Sequence, residues 1–385
     1  MQLSILQENF AHALSIVNRA VNAKGTLPVL ANVLLRAEDG KFTVSAANLE
    51  IGIIHTAAAQ IKKEGGITIP ARQLIDYVNA LPPDRIDLEL NAKTQTLHLK
   101  CARHDANIKG VDWNEFPIIP TFEKQDHALI EPDILKGVIA RARISAAQDD
   151  SRPVLKNILA TFKGQNATLV TADGFRLTVT CAHLERGFNQ AKGKNPAAAL
   201  IPDSALKELS ALLGKMEEPV AIAFSQTGAQ VMFDLGDTLF VANLAEGNFP
   251  DFNQIVPKSH STRVICNVHE LTQSVKAAMV FARDANSIIR LKFHEQMGGI
   301  CSIFGQSAET GDAAAILDAQ RDGDELEIAF NGKFMLDALG VINSPQVAFE
   351  LTEAAAPGVV KPVGSDDFVH VLMPMHIKTM NAPIS

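Results

Sequence analysis

Tryptophan and tyrosine are almost missing from this chain, one of each in 385 residues, which leaves few aromatic platforms for a bound ligand. Cysteine is scarce as well. Cys101, Cys181, Cys266 and Cys301 lie far apart with no CxxC or Cys/His ligand spacing, so buried free thiols are expected in preference to a metal site or a disulfide framework. No apolar run is long enough to cross a bilayer, and the opening MQLSILQENFAHAL lacks a basic-then-apolar signal pattern. A cytoplasmic protein away from membranes is expected. Positive charge is in short supply too. A net charge of −8 excludes a protein that coats nucleic acid by bulk charge, so any such contact must be local. HExxH, GxSxG, GxxxxGK[ST] and GxGxxG are all absent. Scattered groups such as Asp173, or His104 beside Asp105, form no recognisable constellation, and Asp173 before Gly174 reads as a turn. Neither an enzyme nor a bound cofactor or metal is expected.

What the chain does have is internal repetition. Its length allows two or three domains. A strand followed by an amphipathic helix recurs at near-constant intervals: LSILQENFAHALSIVNRAV from Leu3, ALIEPDILKGVIARARISAA from Ala128 and RVICNVHELTQSVKAAMVFA from Arg263. One-sided apolar stripes are expected at Phe10, Leu14, Val17 and Val21, at Leu135, Val138 and Ala142, and at Leu271, Val275, Ala278 and Ala282. Strand runs follow each helix. A second strand-then-helix then appears from Gly66, Ala198 and Leu326, with stripes at Leu74, Val78 and Leu81, at Leu206, Leu209 and Leu213, and at Leu336 and Leu339. Asp203 and Asn331 stand where helix N-caps are wanted. Each unit closes on a proline-marked segment, DWNEFPIIP, EGNFPDFNQIVP or FVHVLMPM. The reading is an α+β protein of three repeated domains, each with two helices packed on antiparallel sheets. The polar linkers TFEKQDH and PKSHST place the domains at 1–125, 126–257 and 258–385.

TLPVLANVLL followed by AANLEIGI, IPARQLIDYVNALP, EFPIIP, TADGFRL, FPDFNQIVP and VLMPM, in that order, resemble the bacterial DNA polymerase III beta subunits, the sliding clamps, over essentially the whole chain. The resemblance implies three DNA-clamp domains and a head-to-tail homodimer that closes a ring, sheets outside and helices lining the hole. Such a ring encircles duplex DNA without reading sequence and serves as a processivity factor. It tethers the replicative polymerase, the clamp loader and repair polymerases through short linear motifs. The helix faces carry Arg19, Arg72, Lys136, Arg141, Arg143, Lys207, Lys276 and Lys333, so the hole can be positive while the molecule is negative. For any one of these a solvated helix face is the plainer reading.

The family pattern assigns residues. DNA contacts are expected at Lys24, Arg72, Lys136, Arg141, Gln148, Arg152 and Lys207, weakened where Asp203 and Ser204 replace basic residues. A partner-peptide groove between the second and third domains is expected from Leu155, Gly174, Phe175, Arg176, Leu177, Pro250, Ile255, Val371, Met373, Pro374, Met375 and His376. Methionine suits a groove that serves many partners, although VLMPM alone reads as an ordinary terminal strand. Arg176 is expected at the groove rim. Phe175, Gln254 and His376 stand where histidine, a basic residue and arginine are usual, making the rim less cationic. The dimer interface is expected at Ala106 and Ile108 on one side and at Val280 and Phe281 on the other, core packing being the competing reading, strongest for Val280. The chain runs on past the usual end as IKTMNAPIS, 377–385, a short extension expected to lie near the groove and compete weakly with partners. A monomeric peptide-binding scaffold that never encircles DNA is the alternative.

Overall fold

The computed structural model describes all residues except 23–26, 123–125, 190–197, 215, 295–299 and 377–385. Lys24 and the extension therefore lie outside the described residues. Six α-helices occur among the described residues: α1 Gln7–Val17, α2 Ala71–Ala80, α3 Pro132–Arg143, α4 Asp203–Leu213, α5 Val268–Ala282 and α6 Gly332–Leu339. Each follows directly on a strand, namely Gln2–Leu6, Gly65–Pro70, Ala128–Ile130, Ala198–Pro202, Thr262–Asn267 and Leu326–Asn331.

The apolar stripes explain which face of each helix is covered. In α2, Ala71, Leu74 and Val78 are buried while Arg72 and Asp76 are exposed, the i, i+3, i+7 spacing that puts three side chains on one side. In α5, Leu271, Val275, Ala278, Met279 and Ala282 are buried, each apolar side chain contributing on the order of 1.5–3 kcal/mol by leaving water. The helices begin in two ways. Asn267 and Asn331 cap α5 and α6, their side chains accepting the N–H groups of His269 and Glu270, and of Lys333 and Phe334. The α4 cap position belongs instead to Pro202, with Asp203 already inside the first turn. The expected position of Asp203 is thus corrected: it is the first residue inside the helix, its carboxylate at the positive end of the helix dipole. Val21 likewise falls beyond α1, which ends at Val17 and passes through a 3-10 turn at Asn18–Ala20. Cys101, Cys266 and Cys301 are buried free thiols, whereas Cys181 is half-buried.

The chain divides into two compact units, one of Met1–Lys136, Phe162–Asn166 and His183–Ala245, the other of Gly137–Thr161, Ala167–Ala182 and the chain from Glu246 onward. The middle third contributes to both. In the first unit a five-stranded sheet runs Gln60–Lys63, Gln2–Leu6, Arg85–Asn91, Thr96–Cys101, His104–Lys109. An eight-stranded sheet runs Ala128–Ile130, Val220–Phe224, Gln230–Asp234, Thr238–Asn243, Ile51–Ala57, Lys41–Ala47, Asn32–Glu38, Gly65–Pro70. Here a strand from the middle third, Thr238–Asn243, pairs antiparallel with Ile51–Ala57 of the first third, Phe240 opposite Ile53.

The second unit repeats that device. Arg176–His183 pairs antiparallel with Phe368–Leu372, Val179 opposite Val369, and the sheet continues through Gly358–Pro362, Gln346–Leu351, Thr262–Asn267, Gly311–Gly323, Ile300–Ser307 and Ile288–His294 to Leu326–Asn331. Its core holds Phe293, Phe330, Phe349 and Phe368 with the buried faces of α5 and α6. Gly332 opens α6 where a Cβ would stand 2.5 Å from Met279 Sδ of α5, so a larger residue here would oblige the Met279 side chain to shift.

Candidate functional site

All of the expected groove residues lie in the second unit. Its floor is a buried cluster of Ala172, Leu177, Val359 and Val371, against which Phe249, Phe252 and Val256 pack. Those three aromatic and aliphatic side chains anchor the loop that presents Pro250 and Ile255. Above the floor the side chains turn outward: Phe175 is 55% exposed, Met373 40% and Ile255 39%. For Met373 the end of the strand explains this: Val371 faces the cluster, and Met373, which alternation would have put on the same side, lies beyond the last strand residue Leu372. The Met373 N–H donates to the Phe175 carbonyl at 3.0 Å, and the Met375 N–H donates to the Ala329 carbonyl at 2.8 Å. These two bonds hold the segment Met373–Pro374–Met375 against the unit after regular pairing stops. Pro250 and His376 are exposed, Pro374 and Met375 half-buried. Leu155 is buried beneath the loop at Arg152, whose carbonyl accepts its N–H at 3.0 Å.

The turn at Asp173–Phe175 is built around its own carboxylate, as its sequence predicts: Asp173 Oδ1 accepts the N–H groups of Phe175 at 2.9 Å and Arg176 at 3.0 Å. Gly174 adopts φ +91°, a conformation that costs other residues strain, and the Arg152 guanidinium lies over it. Arg176 is not at the rim. Its guanidinium pairs with Asp173 at 3.0 Å and Asp337 at 2.6 Å, stands 4.1 Å over the Phe334 ring, and its side chain is only 11% exposed. Buried arginine needs such partners to offset lost hydration, so it braces the turn to α6 rather than facing solvent.

Behind the groove, Ser145, Thr178 and His370 form a buried polar chain. Ser145 Oγ and Thr178 Oγ1 are 2.7 Å apart, and Thr178 Oγ1 is 2.9 Å from His370 Nδ1. His370 Nε2 has no hydrogen-bond partner. Burial, reinforced by the nearby Arg176 charge, pushes the His370 pKa down to about 3, so the ring is neutral. The first unit carries a matching pair: Thr238 sits opposite His55 on the paired strands, with His55 Nδ1 2.8 Å from Thr238 Oγ1. Burial, then the neighbouring His12, lowers the pKa of His55. Both strand junctions between thirds of the chain therefore contain a cross-strand threonine–histidine pair, which sequence reading missed because the partners are 183 and 192 residues apart.

Of the strand edges left open among the described residues, two lie at the expected interface residues. His104–Lys109 ends the five-stranded sheet, paired only with Thr96–Cys101. Residues 311–318 pair with 300–307 on one side, while on the other the long strand is paired only from 319 to 323. Ala106 and Ile108 on the first edge are half-buried. Near the second, Val280 is 65% exposed, Phe281 half-buried and Ile316 71% exposed. Val280 is thus not a core residue of its own unit. Ile316 was legible in principle, since Ile316 and Leu317 are adjacent on a strand and must face opposite sides.

The expected DNA contacts fall into two groups. Arg72, with a 94% exposed side chain, Lys136 and Lys207 project from α2, α3 and α4 into solvent. Arg141 and Arg152 are engaged. Arg141 pairs with Asp367 at 2.5 Å with its side chain 21% exposed, and Arg152 lies over the Asp173–Gly174 turn. Gln148 is exposed and donates to the Ala146 carbonyl at 3.3 Å. No group of three or more metal-ligating side chains occurs among the described residues, and no described helix is long and apolar enough to cross a membrane.

Three α+β repeats joined edge to edge, with exposed cations on the helices and an apolar surface groove in place of a reactive cluster, define a clamp-type scaffold. The comparisons with known proteins agree. Family models match in chain order: the N-terminal domain of the DNA polymerase III beta subunit over residues 1–120, the central domain over 129–251 and the C-terminal domain over 253–376. The beta sliding clamp of Staphylococcus aureus is 26% identical over 385 residues, covering 97% of this chain and 99% of the relative. Among solved structures, a DNA polymerase III beta subunit from Pseudomonas aeruginosa superposes with a TM-score of 0.88 at 27% identity, covering 98% of this chain and 100% of that one. A sliding clamp from Bacillus subtilis gives 0.90 at 24% identity, covering 98% and 99%. The chain belongs to the DNA polymerase III beta subunit family, the bacterial sliding clamps. The family is non-catalytic and serves as a processivity factor in DNA replication. DNA and DNA polymerase are accordingly its partner classes.

Proposed function

We propose that two copies close head to tail into a ring around duplex DNA, and that the groove at Phe175, Ile255 and Met373–Met375 receives short peptide motifs of the replicative polymerase, the clamp loader and repair polymerases. The observation that carries the ring is the pair of open edges. At both junctions inside the chain, one third adds a strand to the next in antiparallel register. Among the strand edges still open, His104–Lys109 in the first third and 311–318 in the last are the two that carry the expected interface residues beside them, and their pairing extends that pattern. Their pairing between copies buries Ala106, Ile108, Val280, Phe281 and Ile316 and satisfies backbone groups that a free edge leaves unpaired. Used twice, a head-to-tail interface closes. Domains at 1–125, 126–257 and 258–385, and a cytoplasmic setting, belong to the same reading.

Within the ring Arg72, Lys136 and Lys207 face DNA through long, mobile side chains suited to screened phosphate contacts, with Lys24, Gln148, Arg141 and Arg152 as further contacts. For Arg141 and Arg152 this requires exchange of their present partners. Such contacts hold the duplex without a preferred register, as sliding requires. The test is retention on nicked circular against linearised plasmid, with clamp loader and ATP supplied at moderate salt. Retention on circles and loss from linear DNA is the expected result. Equal behaviour on both refutes topological linkage and leaves the monomeric peptide-binding scaffold.

A further inference from the structure

The groove is an apolar surface with a segment of the same chain beginning at its edge. Phe175, Ile255 and Met373 are three of the eleven large apolar side chains exposed among the described residues. The backbone of Met373–Met375 is pinned along this surface by its bonds to Phe175 and Ala329, and His376 is the last described residue. The match to the family's C-terminal domain also stops at 376, so residues 377–385 are an addition to the shared domain, delivered at the groove. Their sequence is IKTMNAPIS. Ile377, Met380, Pro383 and Ile384 are apolar, Lys378 is the sole charged side chain, and no acid is present. The groove's border carries the exposed Asp251 beside Pro250, which complements a single positive charge and opposes an acidic segment.

We propose that residues 377–385 are a tethered occupant of this groove, which partner peptides must displace. The inference rests on reading the groove as the partner site. Nine residues reach up to about 30 Å when extended, enough to double back over Met373 and reach Phe175 and Ile255. Tethering over so short a distance supplies an effective concentration in the millimolar range. A segment whose free dissociation constant lies about two- to ninefold below that concentration then fills the groove for most of the time, and partner affinity falls by the fraction of groove left open. The expected reduction is roughly 3- to 10-fold.

The test measures binding of the DNA polymerase III polymerase subunit from the same organism to three proteins: the full chain, a chain ending at His376, and the full-length variant Ile377→Ser/Met380→Ser/Ile384→Ser. The last keeps the length and covers failure of the truncated chain to fold. Truncation and triple substitution should each tighten binding about 3- to 10-fold, and free IKTMNAPIS peptide at millimolar concentration should reverse the gain in the truncated chain. Unchanged affinity in both variants, or weaker binding in either folded variant, overturns the proposal. Met373→Ala placed in the truncated chain separates the two ideas. If it lowers polymerase binding while the tail variants do nothing, the groove stands and the tethered occupant falls. If it has no effect, the groove reading fails and takes the proposal with it.

Discussion

Lowering the pH from 7 to 5 puts a proton on histidine in an unfolded chain but not on His370. In the folded protein its pKa lies at about 3 against an ordinary 6.5, because the ring is fully buried and, secondly, stands near the Arg176 charge. A depressed folded value means that the unfolded state binds more protons between those two pH values. The stabilisation is therefore complete above about pH 6.5 and is lost as pH falls toward 3. Between pH 7 and pH 5 the loss is about 2 kcal/mol, rising to about 4 kcal/mol at pH 3. Other groups titrate over the same range, so the measurement is a difference. Urea unfolding of the wild type and of His370→Leu at pH 7, 6 and 5 should show the wild type losing about 2 kcal/mol more than the variant, which has nothing to protonate at this position. Thr178 keeps Ser145 as a partner in the variant, so the polar chain is not orphaned. Parallel loss of stability in both proteins would refute the reasoning and imply that water reaches the unpartnered Nε2.

Arg176→Met should cost about 2–3 kcal/mol, seen as a lower urea midpoint, because it leaves Asp173 and Asp337 without the charge that offsets their burial. Gly174→Ala should cost about 1 kcal/mol from positive-φ strain, since the exposed Arg152 side chain can swing away from the new Cβ. Equal stability of that variant would mean that the turn relaxes to negative φ. Val280→Asp should change monomer stability by no more than about 0.5 kcal/mol, the side chain being largely in solvent, yet weaken self-association at least 10-fold by sedimentation.

How much of this was legible in the sequence follows from the range of the interactions. The helices were readable because their stripes are local: Leu271, Val275, Ala278 and Ala282 announce a buried face within fifteen residues. The Asp173 turn was readable for the same reason, its carboxylate bonding residues two and three positions on. Asp203 misled because a good capping residue type beside Pro202 was one position inside the helix, a shift that propensity does not resolve. Arg176 misled more instructively. Its partner Asp337 is 161 residues away, and nothing near TADGFRL signals that a carboxylate from α6 will arrive there.

The same limit hid the threonine–histidine pairs, and those pairs bear on how the chain is joined. A strand added to a sheet edge is held mainly by repeating backbone bonds, which any register supplies. A slip by one residue at either junction turns His55 or His370 to the opposite face and parts it from its threonine, leaving buried polar groups unpaired at a cost of roughly 1–3 kcal/mol. The pairs thus make the two internal junctions specific as well as cohesive. The open edges at His104–Lys109 and 311–318 show no such pair waiting. What flanks them is Val280, Phe281 and Ile316, whose burial is favourable but indifferent to register. In the ring proposed above, the labour is divided: the two internal junctions are keyed by buried polar contacts, whereas a junction between copies would rest on apolar area and backbone bonds that can be separated and remade.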